Sequence, residues 1–502
     1  MSFTRIDILI ITLYLFSTIG VGLITRRYIS NISDFLVAGR GMNIYLGIAA
    51  LAASELGLVT VMYHAELGYV GGFSAFSLGI IAGGVMTFIG FTGFVIYKLR
   101  SMRIMTVPEF YERKYSRGVR WVGGSVMAVG GILNMGIFIR LAADFINAVS
   151  GISDVYLSIT STILVIIILF YTVWGGMVSV ILTDYLHYVT AMIGFLIATV
   201  FILQKVGYFN ILHAVRLHLG SAGLNPFSSS QYGILFIIYQ IFLWNAVITT
   251  WQTIASKAYS SKDARIGKRI FFWTGLTFLG RATVPMFWGM AALAYFGPNE
   301  NTMTAMPRML ADILPAGIIG IVVAAMLATF MSCTSSYILG WSSLITQDVI
   351  GPIFKDRLTS RQRILLTRIF IVLIGIFLLI WGQWYKIPDT AWNYLALTGT
   401  IYLAGSLSCV VAGCYWNKAN KIGAYSAIFL GTITPLGFVI LTQVKEKLPE
   451  WLLWITNANI SAMLSYLMAI GGMIIGSLIS QKRYPSIDIS TMEEGFTDKS
   501  NF

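Results

Sequence analysis

Among the ionisable side chains inside long apolar runs of this sequence are Glu55, Arg140, Asp144, Asp184 and Arg281. A charge at membrane depth is costly, and it is retained where it binds an ion, moves a proton or meets an opposite charge. Arg140 and Asp144 are four residues apart on one helix face and so can pair with each other. A solute carboxylate on Arg140 or Arg281 is the alternative. Thr329 is followed by Ser332, Cys333, Thr334, Ser335 and Ser336, which puts several hydroxyls and a thiol at one depth. Such hydroxyls can back-bond to the preceding turn, or they can ligate a hard, singly charged cation. Asp184 would then be the neutralising partner, since a buried carboxylate persists beside a cation; otherwise it meets solvent near the end of its own run. Around Glu55 the chain reads Ala52-Ala53-Ser54-Glu55-Leu56-Gly57. This suits either a helix interrupted near the midplane, its freed carbonyls facing a cation, or a regular helix packed closely through its alanines.

The elements that carry these residues follow from composition. The chain has 502 residues, 57% hydrophobic and only 11% charged, with mean hydropathy +0.78. Soluble proteins carry about 25% charged residues, so a soluble enzyme, a nucleic-acid binder and a disordered scaffold are excluded. An all-α integral membrane protein is expected. At about 20 apolar residues per crossing, the runs give about thirteen spans: 6–25, 44–65, 73–97, 121–150, 155–174, 177–204, 232–256, 270–296, 316–347, 364–384, 389–416, 422–443 and 461–481. They form one transmembrane domain, 1–483, followed by a short polar tail, 484–502. The first run is not a cleaved signal peptide, because Arg26 and Arg27 follow it rather than precede it. Cys333, Cys409 and Cys414 make no disulfide framework or metal motif, and His64, His187, His213 and His218 lack metal-ligand spacing. No resident cofactor is expected.

The net charge of +13 is then a matter of orientation. With the N-terminus outside, one side collects Arg26, Arg27, Arg40, Lys98, Arg100, Arg103, Arg113, Lys114, Arg117, Arg120, Lys257, Lys262, Arg265, Lys268, Arg269, Lys355, Arg357, Arg361, Arg363, Lys418, Lys421, Lys482 and Arg483. The other side holds Arg5, Lys205, Arg216, Arg308, Lys386, Lys445 and Lys447. The asymmetry predicts N-terminus out, C-terminus in the cytoplasm, and residence in the plasma membrane, or the inner membrane of a bacterium.

Five short motifs recur in order along these spans: Ser33-Asp34-Phe35-Leu36-Val37-Ala38-Gly39-Arg40; Thr106-Val107-Pro108-Glu109-Phe110 with Arg113; Gly175-Gly176 with Thr183-Asp184; the segment from Ala328 to Ser336; and Tyr415-Trp416-Asn417-Lys418 with Gly423-Ala424. Together they resemble the sodium:solute symporter family over about 5–480. The resemblance implies the leucine-transporter type of fold, two inverted repeats of five helices at about 44–204 and 232–416, with the helices near Glu55 and in 232–256 broken. It implies a principal sodium site from the carbonyls of Ala53, Leu56 and Thr329 with Ser332 and Cys333. A second sodium site would use Asp184, Ser335 and Ser336. Two departures stand out. Cys333 replaces the usual hydroxyl with a soft thiol, whereas sodium prefers oxygen. Val247 and Trp251-Gln252-Thr253 also differ from the family's usual pattern, so no known member's solute transfers.

The expected activity is sodium-coupled symport of a small polar organic solute into the cell by alternating access, with sodium, solute and lipid bilayer as partners. Glu55, Asn134, Arg140, Asn245 and Gln252 are candidates for solute contact or coupling, beside Arg281 and His64. Proton coupling through Glu55 or Asp184 is the alternative within transport. A solute sensor is disfavoured by the short tail, and a channel by the confinement of polar residues to one depth.

Overall fold

The computed structural model describes residues 4–25, 37–228, 233–354, 357–385, 391–443, 448, 449, 451, 454 and 457–489. Arg26, Arg27, Ser33 to Leu36, Lys355, Lys386, Lys445, Lys447 and the tail from 490 lie outside them. Among the described residues the chain is helical, with no β-strand. The helices used below are α1 (Arg5–Thr25), α2 (Ile44–Glu55), α3 (Leu58–Gly71), α4 (Phe76–Thr92), α5 (Val107–Lys114), α6 (Arg117–Asn134), α7 (Phe138–Ser150), α8 (Leu157–Lys205), α9 (Ile234–Thr250), α10 (Gln252–Ser260), α11 (Ala264–Phe296), α12 (Ile318–Leu344), α13 (Ser360–Trp384), α14 (Ala391–Tyr415), α15 (Lys421–Gln443) and α16 (Ala458–Ser480).

Helices occupy each of the thirteen apolar stretches read from the sequence. By length and composition seven described helices can cross a membrane, or eight if the bent pair α9–α10 is one span. Several spans are composite. Residues 157–205 form one hydrogen-bonded run of 49 residues, about 74 Å at 1.5 Å per residue, far longer than the hydrocarbon core of about 30 Å. Gly176 resolves the mismatch: at φ 51° and ψ −163° it kinks the run in a conformation that is essentially glycine's alone.

Two other breaks build the site. Between α2 and α3, Leu56 leaves the helical region at φ −94°, ψ 73°, and Gly57 is extended at φ −85°, ψ 158°. The interrupted helix is thus what the sequence Ser54-Glu55-Leu56-Gly57 encodes, rather than a regular helix. A glycine is required at 57 because a Cβ there would stand 2.7 Å from the Cys333 sulfur. Between α9 and α10, Trp251 is extended, and the two halves are bent by 47°.

The core centres on α12. Its apolar window is 89% buried, against 28% for α13, which presents most of its surface outward. Opposite charges close the end of the bundle where the basic residues gather. Arg120 donates to Asp348 at 2.8 Å, to Glu112 and to the Gln347 carbonyl, tying α6 to the turn beyond α12. Lys114 donates to Ser486 and to the Ile487 carbonyl, so the start of the predicted tail is docked. At this end, backbone bonds run from the Met42 amide to Ser260 and from the Lys262 amide to Met42. Arg100 donates to the carbonyls of Ser261, at 2.6 and 2.9 Å, and Lys262. Burial lowers the ionisation of this guanidinium to about 10, which still leaves it charged at neutral pH.

Candidate ion and solute site

Asp184 is wholly buried on the second limb of α8, which removes the alternative that it meets solvent. One carboxylate oxygen accepts from the Ser332 hydroxyl at 2.5 Å. The other accepts from the Lys257 ammonium at 3.0 Å, with Ser336 Oγ at 3.5 Å. Lys257 is 1% exposed and lies in α10. This corrects its placement among the solvated basic residues of a loop. The seventh apolar run, 232–256, stops one residue short of it. The small and apolar residues continue through Ala258 and Tyr259, and that continuation is the signal that would have kept Lys257 inside.

Ser332 has a geometry suited to a cation. Its hydroxyl hydrogen points to Asp184, so its lone pairs face elsewhere. Next to it, Cys333 packs against the α2–α3 break at Gly57, and the Leu56 amide bonds back to the carbonyls of Ala52 and Ala53. Ala53, Leu56, Thr329, Ser332 and Cys333 are all buried around this junction. Ser335 donates to the Ser332 carbonyl at 3.2 Å, and Thr329 to Met326 at 2.8 Å. Both show the back-bonding that hydroxyls on helices favour.

Glu55 ends α2 at a small central cavity of about 90 Å³, which it shares with Tyr63, Asn134, Phe138, Trp244, Trp251, Arg281, Cys333, Tyr337 and Trp392. Its carboxylate accepts from Thr253 at 2.9 Å and from Tyr337 at 3.0 Å. Arg281 donates to the Glu55 backbone carbonyl, lies 4.0 Å from its carboxylate and stacks over Phe278. One residue therefore joins α2, α10, α11 and α12. Thr253, Tyr337 and the tryptophans were absent from the sequence candidates. Nothing in their local spacing marks them, and Thr253 and Tyr337 meet Glu55 from 198 and 282 residues away.

The remaining candidates divide. Asn134 lines the cavity, its amide donating to the Leu395 carbonyl and to Thr398. Arg140 pairs with Asp144 at 3.1 Å on α7, as their spacing allows, and neither is among the cavity residues. Asn245 back-bonds to Ile241. Gln252 turns toward the loop before α5, beside Val107 and Met105. His64 is buried on α3 against Tyr63, and His187 bonds Tyr14 of α1.

The sodium:solute symporter family model matches residues 35–431, most of the chain. The chain belongs to the sodium:solute symporter family. It is 24% identical over 489 residues to the mouse (Mus musculus) sodium/myo-inositol cotransporter 2, covering 88% of this chain and 71% of that one. It is also 24% identical over 496 residues to the rabbit (Oryctolagus cuniculus) sodium/glucose cotransporter 1, covering 86% and 72%. The fold is similar to that of a Na+-coupled sialic acid symporter solved in a substrate-bound, outward-open state. There the TM-score is 0.81 at 18% identity, over 95% of this chain and 98% of that one. This family member is a multi-pass membrane protein whose relatives are transporters and not enzymes.

Proposed function

We propose that this symporter couples sodium influx to uptake of a small polar organic solute by alternating access, its thirteen helices crossing the membrane with the N-terminus outside and the C-terminus in the cytoplasm. The sodium ion sits where the α2–α3 break meets α12, held by the carbonyls of Ala53, Leu56 and Thr329 and by the Ser332 hydroxyl, with Cys333 beside it. The observation that carries this reading is the Ser332–Asp184 hydrogen bond of 2.5 Å. It spends the hydroxyl's proton on a carboxylate and leaves oxygen lone pairs for a cation. The two broken pairs, α2–α3 and α9–α10, fall one in each of the repeats 44–204 and 232–416, as an inverted repeat around a midplane site requires.

The solute binds in the central cavity. Glu55, Arg281 and Asn134 supply charged and amide hydrogen-bonding groups, and Tyr63, Trp244, Trp251 and Trp392 supply flat apolar walls, the usual composition of a small-molecule pocket. At about 90 Å³ the cavity is below the roughly 300–1,000 Å³ of ligand sites, so solute binding needs the bundles to part. Sodium must favour the parted state, and solute must reciprocally raise sodium affinity. The test is uptake into proteoliposomes of a panel of polyols, monosaccharides, amino acids and carboxylates. Accumulation of one class that collapses when the sodium gradient is removed supports the reading. Accumulation driven by a proton gradient alone, and lost in Glu55→Gln, supports the proton-coupled alternative, for which the position of Glu55 between Thr253, Tyr337 and Arg281 is the favouring observation.

A further inference from the structure

We propose that the Lys257 ammonium is a built-in cation occupying the second ion site, so that this symporter binds one sodium ion per cycle and not two. The inference rests on the sodium-coupled reading above and fixes its stoichiometry. The second site was expected from the resemblance to use Asp184, Ser335 and Ser336. In the structure the Asp184 and Ser336 oxygens already serve a positive charge. Lys257 Nζ lies 3.0 Å from Asp184 Oδ2, 3.5 Å from Ser336 Oγ and 4.0 Å from Met177 Sδ, which gives each of its three donors a partner. Ser335 is turned away to the Ser332 carbonyl. Lys257 and Asp184 are 1% and 0% exposed on their side chains.

Charge balance makes the substitution effective. An unpaired carboxylate buried this deeply is strongly disfavoured, and a buried ion pair is held by mutual neutralisation. With Lys257 present, Asp184 needs no ion from solution. A sodium ion added to the same oxygens would sit at contact distance from an ammonium in a low dielectric, where like charges repel strongly. The principal site escapes this conflict because the proposed ligands there are carbonyls and Ser332, and because Asp184 reaches it only through the Ser332 hydroxyl. The tethered cation also belongs to α10, the short half beyond the 47° bend, so it locks that half to α8 and α12.

The test counts sodium by equilibrium binding of radioactive sodium to the purified full-length protein, with wild type, Lys257→Met and the charge-neutral pair Lys257→Met/Asp184→Asn side by side. One ion in the wild type, two in Lys257→Met with a Hill coefficient rising from near one toward two, and a return to one in the double variant are expected. Two ions in the wild type overturn the inference and leave sodium coupling intact. A count that stays at one in a folded Lys257→Met also overturns it. If Lys257→Met cannot be recovered, the wild-type and double-variant counts still decide: one in each supports the inference and two in the wild type defeats it. No ion in the wild type but one in Lys257→Met defeats the sodium-coupled reading while supporting Lys257 as the resident cation.

Discussion

The Ser332 hydroxyl donates to Asp184, which leaves its lone pairs for the sodium ion proposed above. A contact to a charged group is worth about 1.5–3 kcal/mol, so Ser332→Ala is expected to weaken apparent sodium affinity roughly ten- to a hundredfold, measured by sodium titration of thermal stability. Cys333→Ser, which exchanges a soft ligand for a hard one, is expected to move affinity the other way in the same assay. Weaker sodium binding in Cys333→Ser would place the ion elsewhere. Arg140 and Asp144 make the opposite kind of prediction. Their pair is partly exposed on α7, where such i,i+4 pairs contribute about 0.3–0.5 kcal/mol. Arg140→Ala is thus expected to leave solute KM unchanged; a large rise in KM would bring this arginine into the solute path. What the sequence made legible at this scale was local. The Arg140–Asp144 pairing lies in an i,i+4 spacing, and the importance of Asp184 and Ser332 lies in their polarity at membrane depth. Lys257 was hidden because a lysine at the end of an apolar run is normally read as an orienting loop charge. The bond from Thr253 to Glu55 was hidden because it spans 198 residues.

Breaks, more than helices, shape the candidate site of this fold. The interruption at Leu56-Gly57 could be read from composition only as one of two choices, since an alanine-rich stretch also fits close packing. The non-helical torsions of Leu56 and Gly57 decide between them, with Cys333 packed against Gly57. The kink at Gly176 was visible as the boundary between two spans but not as a glycine-only conformation. Gly176→Ala is expected to cost about 1–3 kcal/mol, the usual strain of a residue in that region, read as a lowered melting temperature with sodium affinity little changed. A melting temperature equal to wild type would mean that the kink is soft and that α8 can straighten locally.

Across the whole molecule, one end of the bundle is sealed by main-chain bonds between Met42 and the Ser260–Lys262 segment and by the fork of Arg100 on Ser261 and Lys262. These join the entrance of α2 to the exit of α10, so both broken helices are held at the same end. In the orientation proposed above, solute release toward the cytoplasm would have to undo them. Arg100→Gln is expected to open this end more often, and Cys333, which lines the cavity, reports it. In a Cys409→Ala/Cys414→Ala background, a membrane-impermeant thiol reagent applied to the basic face should label Cys333 several times faster in Arg100→Gln than in its parent. Equal rates would show that the seal lies deeper in the bundle. The architecture of long apolar helices was legible in hydropathy, because the bilayer imposes length and composition on each crossing. The seal was not, because its acceptors are backbone carbonyls that every sequence possesses.

A sodium ion held where the α2–α3 break meets α12 has to stabilise the fold. The most direct measurement is the melting temperature of the purified protein in sodium, potassium and choline at matched ionic strength, for wild type and Ser332→Ala. A ligand that binds only the folded state stabilises it in proportion to its saturation. A saturable rise in sodium alone, shifted to much higher concentration in Ser332→Ala, is expected. Equal melting temperatures in all three salts, or a sodium-specific rise that Ser332→Ala leaves untouched, would contradict it.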